Sequence, residues 1–292
     1  MHPVNIALVS SLASLCLAVP PSYQQEKERR LNSRQSDQSG WNPPSDLAKP
    51  LKEVWDHCEK TYNDGDLYGF KNYGWDQIMA TKGVINYCVR WDSDEAVPES
   101  QREQIANEVN TAYQQWFKWV YSWDNFPFNN ITVKVVGWAV KDKSLLQGST
   151  DGLDIYTDVD SEGIPQCAES CGRFFHKDGD YSGCASGADR HYDQSIWLTP
   201  GHDGGSGGDW GQRVATELFM EGINGGDSLL YILHEQGHSF GLDDFYDWTP
   251  STRGDDFIMS KGFVAKITDF DGWMLRNWWY ELSRHRGWQK SS

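Results

Sequence analysis

Hydrophobic residues fall along this chain in spacings that mark out its elements. Between Ser100 and Trp123 the apolar positions Ile105, Val109, Ala112, Tyr113, Trp116 and Val120 recur at steps of three and four, which predicts a long amphipathic helix. Ser100 stands where an N-cap belongs, and Glu103 three residues on completes a capping box. Lys82 to Trp91 and Asn130 to Lys141 are dense in β-branched and aromatic residues and predict strands on either side of that helix. From Gly148 to Gly208 the chain is rich in Gly, Asp and Ser and reads as loop, interrupted by one predicted strand at Gln194 to Leu198. Gly201 to Trp210 reads as a flexible connection, and Ala215 to Glu221 as a short helix. A further helix is expected from about Leu229 to Phe240, capped by Asp227 or Ser228 and stopped by Gly241. Its first residues, LLYIL, are apolar on every side, so it belongs in the interior. Asp269 to Arg284 closes the pattern as a helix, with Trp273, Met274, Trp278 and Trp279 on its apolar face. This order, without internal repeats, defines an α+β class and a single domain.

The N-terminal residues stand apart from that pattern. Val4 to Val19 is apolar but too short to span a bilayer, and Cys16-Leu17-Ala18 offers a small-residue cleavage site. Residues 1–18 therefore read as a secretory signal peptide, and the product as secreted and extracellular. Gln24 to Ala48 is polar, with Pro43 and Pro44 near its end, and buries little apolar surface. Residues 19–48 read either as a flexible tail or as a short pro-segment cut at Arg29-Arg30, ahead of a domain over residues 49–292. Asn130-Ile131-Thr132 is an N-glycosylation sequon at the start of a predicted strand.

Charge and cysteines narrow the setting. A formal net charge of −16 argues against nucleic acid or an anionic membrane as partner, since either needs a basic patch. The chain is expected to act as a monomer. Of its 6 cysteines, Cys16 leaves with the signal, so Cys58, Cys88, Cys167, Cys171 and Cys184 remain. In an oxidising compartment four of these form two disulfides and one is left over. Cys167, Cys171 and Cys184 lie in the loop-rich stretch that needs a staple, and Cys58 is expected to pair with Cys88. The alternative for Cys58 is a thiolate held on a metal.

The chemistry concentrates at His234-Glu235-Gln236-Gly237-His238, an HExxH pattern on the predicted buried helix. Two histidines four apart share one helix face, one turn apart, so both imidazoles reach one metal ion. Imidazole nitrogen suits Zn²⁺, and a catalytic zinc takes three protein ligands and leaves one position open. Glu235 is the candidate general base, taking a proton from water and passing it to a leaving amine. Gly241 ends the helix and lets the chain turn back, so that Asp244, six residues after His238, becomes the third ligand. Asp243 is its understudy, and a merely solvated acidic turn is the plainer alternative.

HEQGHSFGLDD resembles the HExxHxxG motif of the metzincin clan of zinc peptidases, whose third ligand is usually His. With Asp at that place it resembles the snapalysin family of small secreted bacterial peptidases. Tyr246 falls where those enzymes carry a tyrosine thought to support the transition state, and Phe257-Ile258-Met259-Ser260 resembles the Met-turn that floors the metal site. The close match covers residues 229–262 alone; the remainder is similarity of layout. The resemblance implies a metzincin-like domain with a twisted mixed sheet, a buried active-site helix and a C-terminal helix. It also implies one catalytic Zn²⁺, protein or peptide substrates and a secreted endopeptidase activity. Substrate would lie extended along an edge strand, for which Gln194 to Leu198 is the candidate, with its side-chain pocket behind the Met-turn.

Other residues have plainer readings beside the functional ones. Tyr246 is equally a packing tyrosine if the resemblance is set aside. His57, His176, His191 and His202 show no paired metal spacing, with His176 or His202 the candidates for a second metal. Asp151, Asp154, Asp158 and Asp160, or Asp178 and Asp180, are candidate Ca²⁺ ligands, but their spacing fits no EF-hand and solvated loop acids explain them more simply. With 15 tryptophans, a carbohydrate-binding protein is the rival from another class, although Trp116, Trp119, Trp273 and Trp278 sit at core spacing. A third reading is an inactive metallopeptidase-like binder, for which the intact Glu235 has no evident use.

Overall fold

The computed structural model describes residues 40–223, 229–251, 253–260 and 264–289. The signal segment, Arg29-Arg30 and the caps proposed at Asp227 and Ser228 lie outside them. The described residues form an α+β fold with six α-helices and a mixed sheet. The helices are α1 (Ser45–Thr61), α2 (Gly74–Ala80), α3 (Glu99–Phe117), α4 (Thr216–Ile223), α5 (Leu229–Ser239) and α6 (Asp269–His285).

Eight strands complete the list: β1 (Val84–Trp91), β2 (Val97–Pro98), β3 (Thr132–Val140), β4 (Leu146–Gln147), β5 (Asp154–Tyr156), β6 (Gln194–Thr199), β7 (Gly205–Gly208) and β8 (Gly211–Ala215). The main sheet runs β5-β3-β1-β6-β8-β7, parallel throughout except for β7, which pairs antiparallel to β8 at one edge. β2 and β4 make a separate parallel pair.

Strand alternation divides the molecule into layers. Ile85, Tyr87, Val89 and Trp91 of β1 enter the main core with the apolar faces of the helices. Cys88 points the other way, into a small cluster with Cys167, Cys171, Cys184, Tyr181 and Tyr192 from the loop-rich segment. This alternation explains the cysteine pairing. Cys88 bonds Cys167 and Cys171 bonds Cys184, while Cys58 stays a free thiol buried on the helix side. The expected Cys58–Cys88 bond is thus overturned, because the two side chains lie on opposite faces of the sheet. Burial pushes the Cys58 thiol far above the ordinary thiol range, the reverse of an activated thiolate.

Several boundaries differ from the sequence expectation. α1 begins at Ser45, inside the segment expected to be flexible; Leu47, Leu51, Val54, Trp55 and Cys58 repeat at helical steps and are buried. α3 starts one residue before Ser100, behind Pro98, so the proposed capping box does not form. It stops at Phe117 rather than Trp123: Trp119 and Val120 bond back to Trp116 and Phe117, and Ser122, Asp124 and Asn125 take positive φ. Gly201 to Trp210 contains the edge strand β7, not merely a connection. Gln194 to Thr199 is a central strand, paired on both sides, and so cannot be the substrate-binding edge.

α5 runs against the sheet and is fixed by its neighbours. Trp116 of α3 donates its indole N–H to the Leu233 carbonyl at 2.8 Å, and Gln236 donates to the Val109 carbonyl at 3.2 Å. At its C-terminal end Gly241 has φ of 87°, and a Cβ there would lie 2.5 Å from Trp278 of α6. The glycine therefore serves both the turn and the close packing.

Candidate metal centre

His234 and His238 leave α5 on one face, and the turn at Gly241 brings Asp244 back to them. Asp244 Oδ1 lies 3.0 Å from His234 Nε2 and 3.4 Å from His238 Nε2. The other ring nitrogens are taken: His234 Nδ1 is 2.8 Å from the Ile258 carbonyl and His238 Nδ1 is 2.8 Å from the Leu242 carbonyl. A carbonyl only accepts, so each Nδ1 carries a proton, and both Nε2 atoms face the Asp244 oxygen. Three acceptors this close repel one another unless a proton or a cation lies among them. The cluster His234, His238 and Asp244, with ligand atoms all within 4.8 Å of one another, can hold a metal ion. It offers two imidazole nitrogens and one carboxylate oxygen, with each ring oriented by a backbone carbonyl.

Glu235 is buried beside this cluster, with Oε2 3.9 Å from His238 Nε2. Burial raises its pKa above the usual glutamate value, against the pull of His238 and His234. Burial also opposes ionisation of Asp244, but hydrogen bonds and charge from the two imidazoles outweigh it and hold that carboxyl well below the usual range. Tyr246 reaches the same place from the rim, its hydroxyl 3.2 Å from His234 Nε2 and the residue 52% exposed. The five residues expected from sequence are therefore together. Asp243 is not with them: its Oδ2 turns away to His57 Nε2 at 3.2 Å.

A floor and a wall complete the site. Met259, fully buried, lies under Gly237, where a Cβ would come within 2.6 Å of its sulfur. That turn is held by Asp271 in the first turn of α6, which accepts from the Ile258 and Met259 amides at 3.1 and 3.4 Å and from Thr268 in a capping box. On the opposite side β7 lies against α5. A Cβ at Gly207 would sit 2.2 Å from the Glu235 carbonyl oxygen, and one at Gly205 would sit 2.4 Å from Glu235 Oε1. Only glycine lets this edge approach, which the reading of GSGG as a flexible connection missed.

Two clefts open here. One of about 340 Å³ lies over the cluster, bordered by β7 and Tyr62. The other, of about 790 Å³, shares His234, Glu235 and Tyr246 with it and runs between Leu218, Leu230, Tyr231 and Ile258. Sequence reasoning named none of these residues as pocket lining.

The remaining candidates have ordinary partners. His191 bonds Asp193 and stacks on Tyr181, His176 sits at the edge of Tyr181, and His202 lines the larger cleft. Asp154 binds Arg190, Asp160 binds Arg90, and Asp178 and Asp180 accept backbone N–H groups of their own loop. Among the described residues His234, His238 and Asp244 are the one group of three His, Cys, Asp or Glu side chains that could hold a metal ion. No helix there is long and apolar enough to cross a membrane. No protein-family model matches the chain, and no curated protein matches it.

Proposed function

We propose that this chain is a secreted zinc-dependent endopeptidase of metzincin-like design, with His234, His238 and Asp244 as metal ligands and Glu235 as general base. One observation carries the proposal: three acceptor atoms converge on a single point beside a buried carboxylate, on the floor of a cleft bordered by a free sheet edge. Zinc held by the three ligands would supply a Lewis acid that polarises a carbonyl and acidifies water.

The chain's own residues do the rest. β7 lies at the edge of the sheet, where an extended peptide can add as a further strand and bring its scissile bond over Glu235. Glu235 accepts the proton that water loses as its oxygen attacks the carbonyl carbon, and returns it to the leaving nitrogen as the C–N bond breaks. A carboxyl raised by burial is suited to both halves of that transfer. Tyr246 donates its hydroxyl proton in a hydrogen bond to the carbonyl oxygen as negative charge gathers there. The two disulfides fit an oxidising, extracellular setting, and the acidic surface fits protein or peptide rather than nucleic acid as substrate.

The carbohydrate-binding alternative loses its main support. Among the described residues the exposed large hydrophobics are Val159, Phe174, Phe175 and Tyr246, with no tryptophan among them to stack on a sugar. Casein digestion by the purified protein, beside Glu235→Ala and with bound zinc quantified in both, tests the proposal. The expected result is about one zinc in each and a loss of about a thousandfold in kcat/KM for the variant. Equal digestion by both removes the general base; absence of zinc from both removes the site.

A further inference from the structure

α1 stands behind the metal cluster and reaches it through the acid next to Asp244. His57 Nε2 is 3.2 Å from Asp243 Oδ2, and Asp243 Oδ1 accepts the backbone N–H of Asp244 at 3.0 Å. The His57 ring also packs on Trp248, with centroids 4.2 Å apart. One helical turn earlier on the same face, Glu53 accepts both the N–H and the hydroxyl of Ser251, at 2.6 and 2.7 Å. Asp243, Trp248 and Ser251 are thus fastened to one face of one helix, while the opposite face of α1 is anchored in the core through Leu51, Val54 and Trp55.

We infer that His57 is a positioning residue for the third metal ligand, acting through Asp243 to fix the backbone at Asp244. The inference rests on the zinc reading above and adds to it a role for the N-terminal helix. The physical reason is entropic as well as electrostatic. His234 and His238 are placed by α5, but Asp244 sits in irregular chain after the helix has ended. A carboxylate on such a segment must be ordered when the ion binds, and that ordering weakens affinity unless the fold has already fixed it. The chain His57–Asp243–Asp244 N–H does so from behind, leaving the Asp244 carboxylate free to face the imidazoles. Asp243 is then a tether rather than a competing ligand, which accounts for two adjacent acids with opposite orientations.

The test measures Zn²⁺ affinity of the full chain by competition with a chelator, for wild type, His57→Ala, His57→Gln, Asp243→Ala and the double alanine variant. Outer groups that orient metal ligands typically change affinity by about 10- to 100-fold. The expected result is about a tenfold loss for each single alanine variant, with a double variant no worse than either, because both cut the same link. Glutamine, which keeps a donor, restores most of the affinity. Hydrogen exchange in the metal-free protein adds a readout independent of the ion: the Asp244 amide exchanges faster in His57→Ala and Asp243→Ala. A merely structural histidine lowers the metal-free melting temperature and leaves Zn²⁺ affinity unchanged, so unchanged affinity in both single variants overturns the inference. Should His57→Ala not fold, Ser251→Ala decides at the second fastening, with weaker Zn²⁺ binding in support and unaltered binding against. A wild type that binds no Zn²⁺ overturns the site itself, which is a separate outcome.

Discussion

Two stretches of irregular chain border the sheet, and different forces hold them. Residues 157–193 cover one face, and the buried apolar cluster beneath them is small, four of its eight members being the disulfide cysteines. Residues 242–251 and 253–260 close the candidate metal site on the other side without any disulfide. There Phe245, Phe257, Ile258 and Met259 are wholly buried in the main core, and hydrogen bonds from α1, α5 and α6 fix the backbone between them. The difference follows from what each stretch can bury. A segment with too little apolar surface needs covalent closure to overcome its chain entropy. A segment that joins the core can be set by directional polar contacts, and these orient ligands as a sulfur bridge does not.

The contrast is sharpest if each side is cut by itself. Replacing Cys88 and Cys167 together by Ser releases a closure over 79 residues. By chain entropy this costs about 4.5 kcal/mol of unfolding free energy, measurable by urea denaturation. Zn²⁺ affinity and casein digestion at a temperature where the variant stays folded should be unchanged. A parallel fall in affinity would mean that the two regions are coupled through the sheet. Asp271→Ala cuts the other side. It removes a capping box and strands the Ile258 and Met259 amides, for a loss of about 3 kcal/mol. Here Zn²⁺ affinity should fall as well, because the Ile258 carbonyl orients His234. Stability lost with affinity retained would show that the turn does not set the imidazole.

How far each region was legible in the sequence follows the same division. HEQGHSFGLDD carries its geometry locally, since helix spacing and one glycine bring His234, His238 and Asp244 together. The Met259 turn was legible by resemblance, but Asp271, which holds it, reads in sequence as one more acid near a helix start. α1 was hidden by the polar residues and Pro43-Pro44 before it, although Leu47, Leu51, Val54, Trp55 and Cys58 do repeat at helical steps. β7 left no pattern because glycines have no side chains to alternate. The cysteine pairing was illegible for a different reason. It depends on which sheet face each thiol meets, and no local spacing carries that.

The smallest expected effect lies within the disulfide side and asks whether its polar contacts matter beside its covalent ones. Arg90 leaves β1 on the loop face, lies 3.4 Å from the Trp197 ring centroid and pairs with Asp160. Its Nε donates to the Pro165 carbonyl at 2.6 Å, while Asp160 Oδ1 accepts the N–H groups of Glu162 and Ile164 at 2.9 and 3.0 Å. Burial works against the Asp160 charge, but Arg90 and these amides outweigh it and hold the carboxyl below the usual aspartate value. A depressed carboxyl contributes stability that is present above the unfolded value, near pH ~3.9, and is lost as pH falls through the folded one. Wild type should therefore lose more stability on acidification through that window than Asp160→Asn does. At neutral pH the variant should already be weaker by about 1 kcal/mol, since an amide oxygen accepts from Arg90 without the charge. Urea midpoints of the two proteins from pH 6 to pH 3 would show their difference shrinking. A constant difference would assign this loop's order to its disulfides alone.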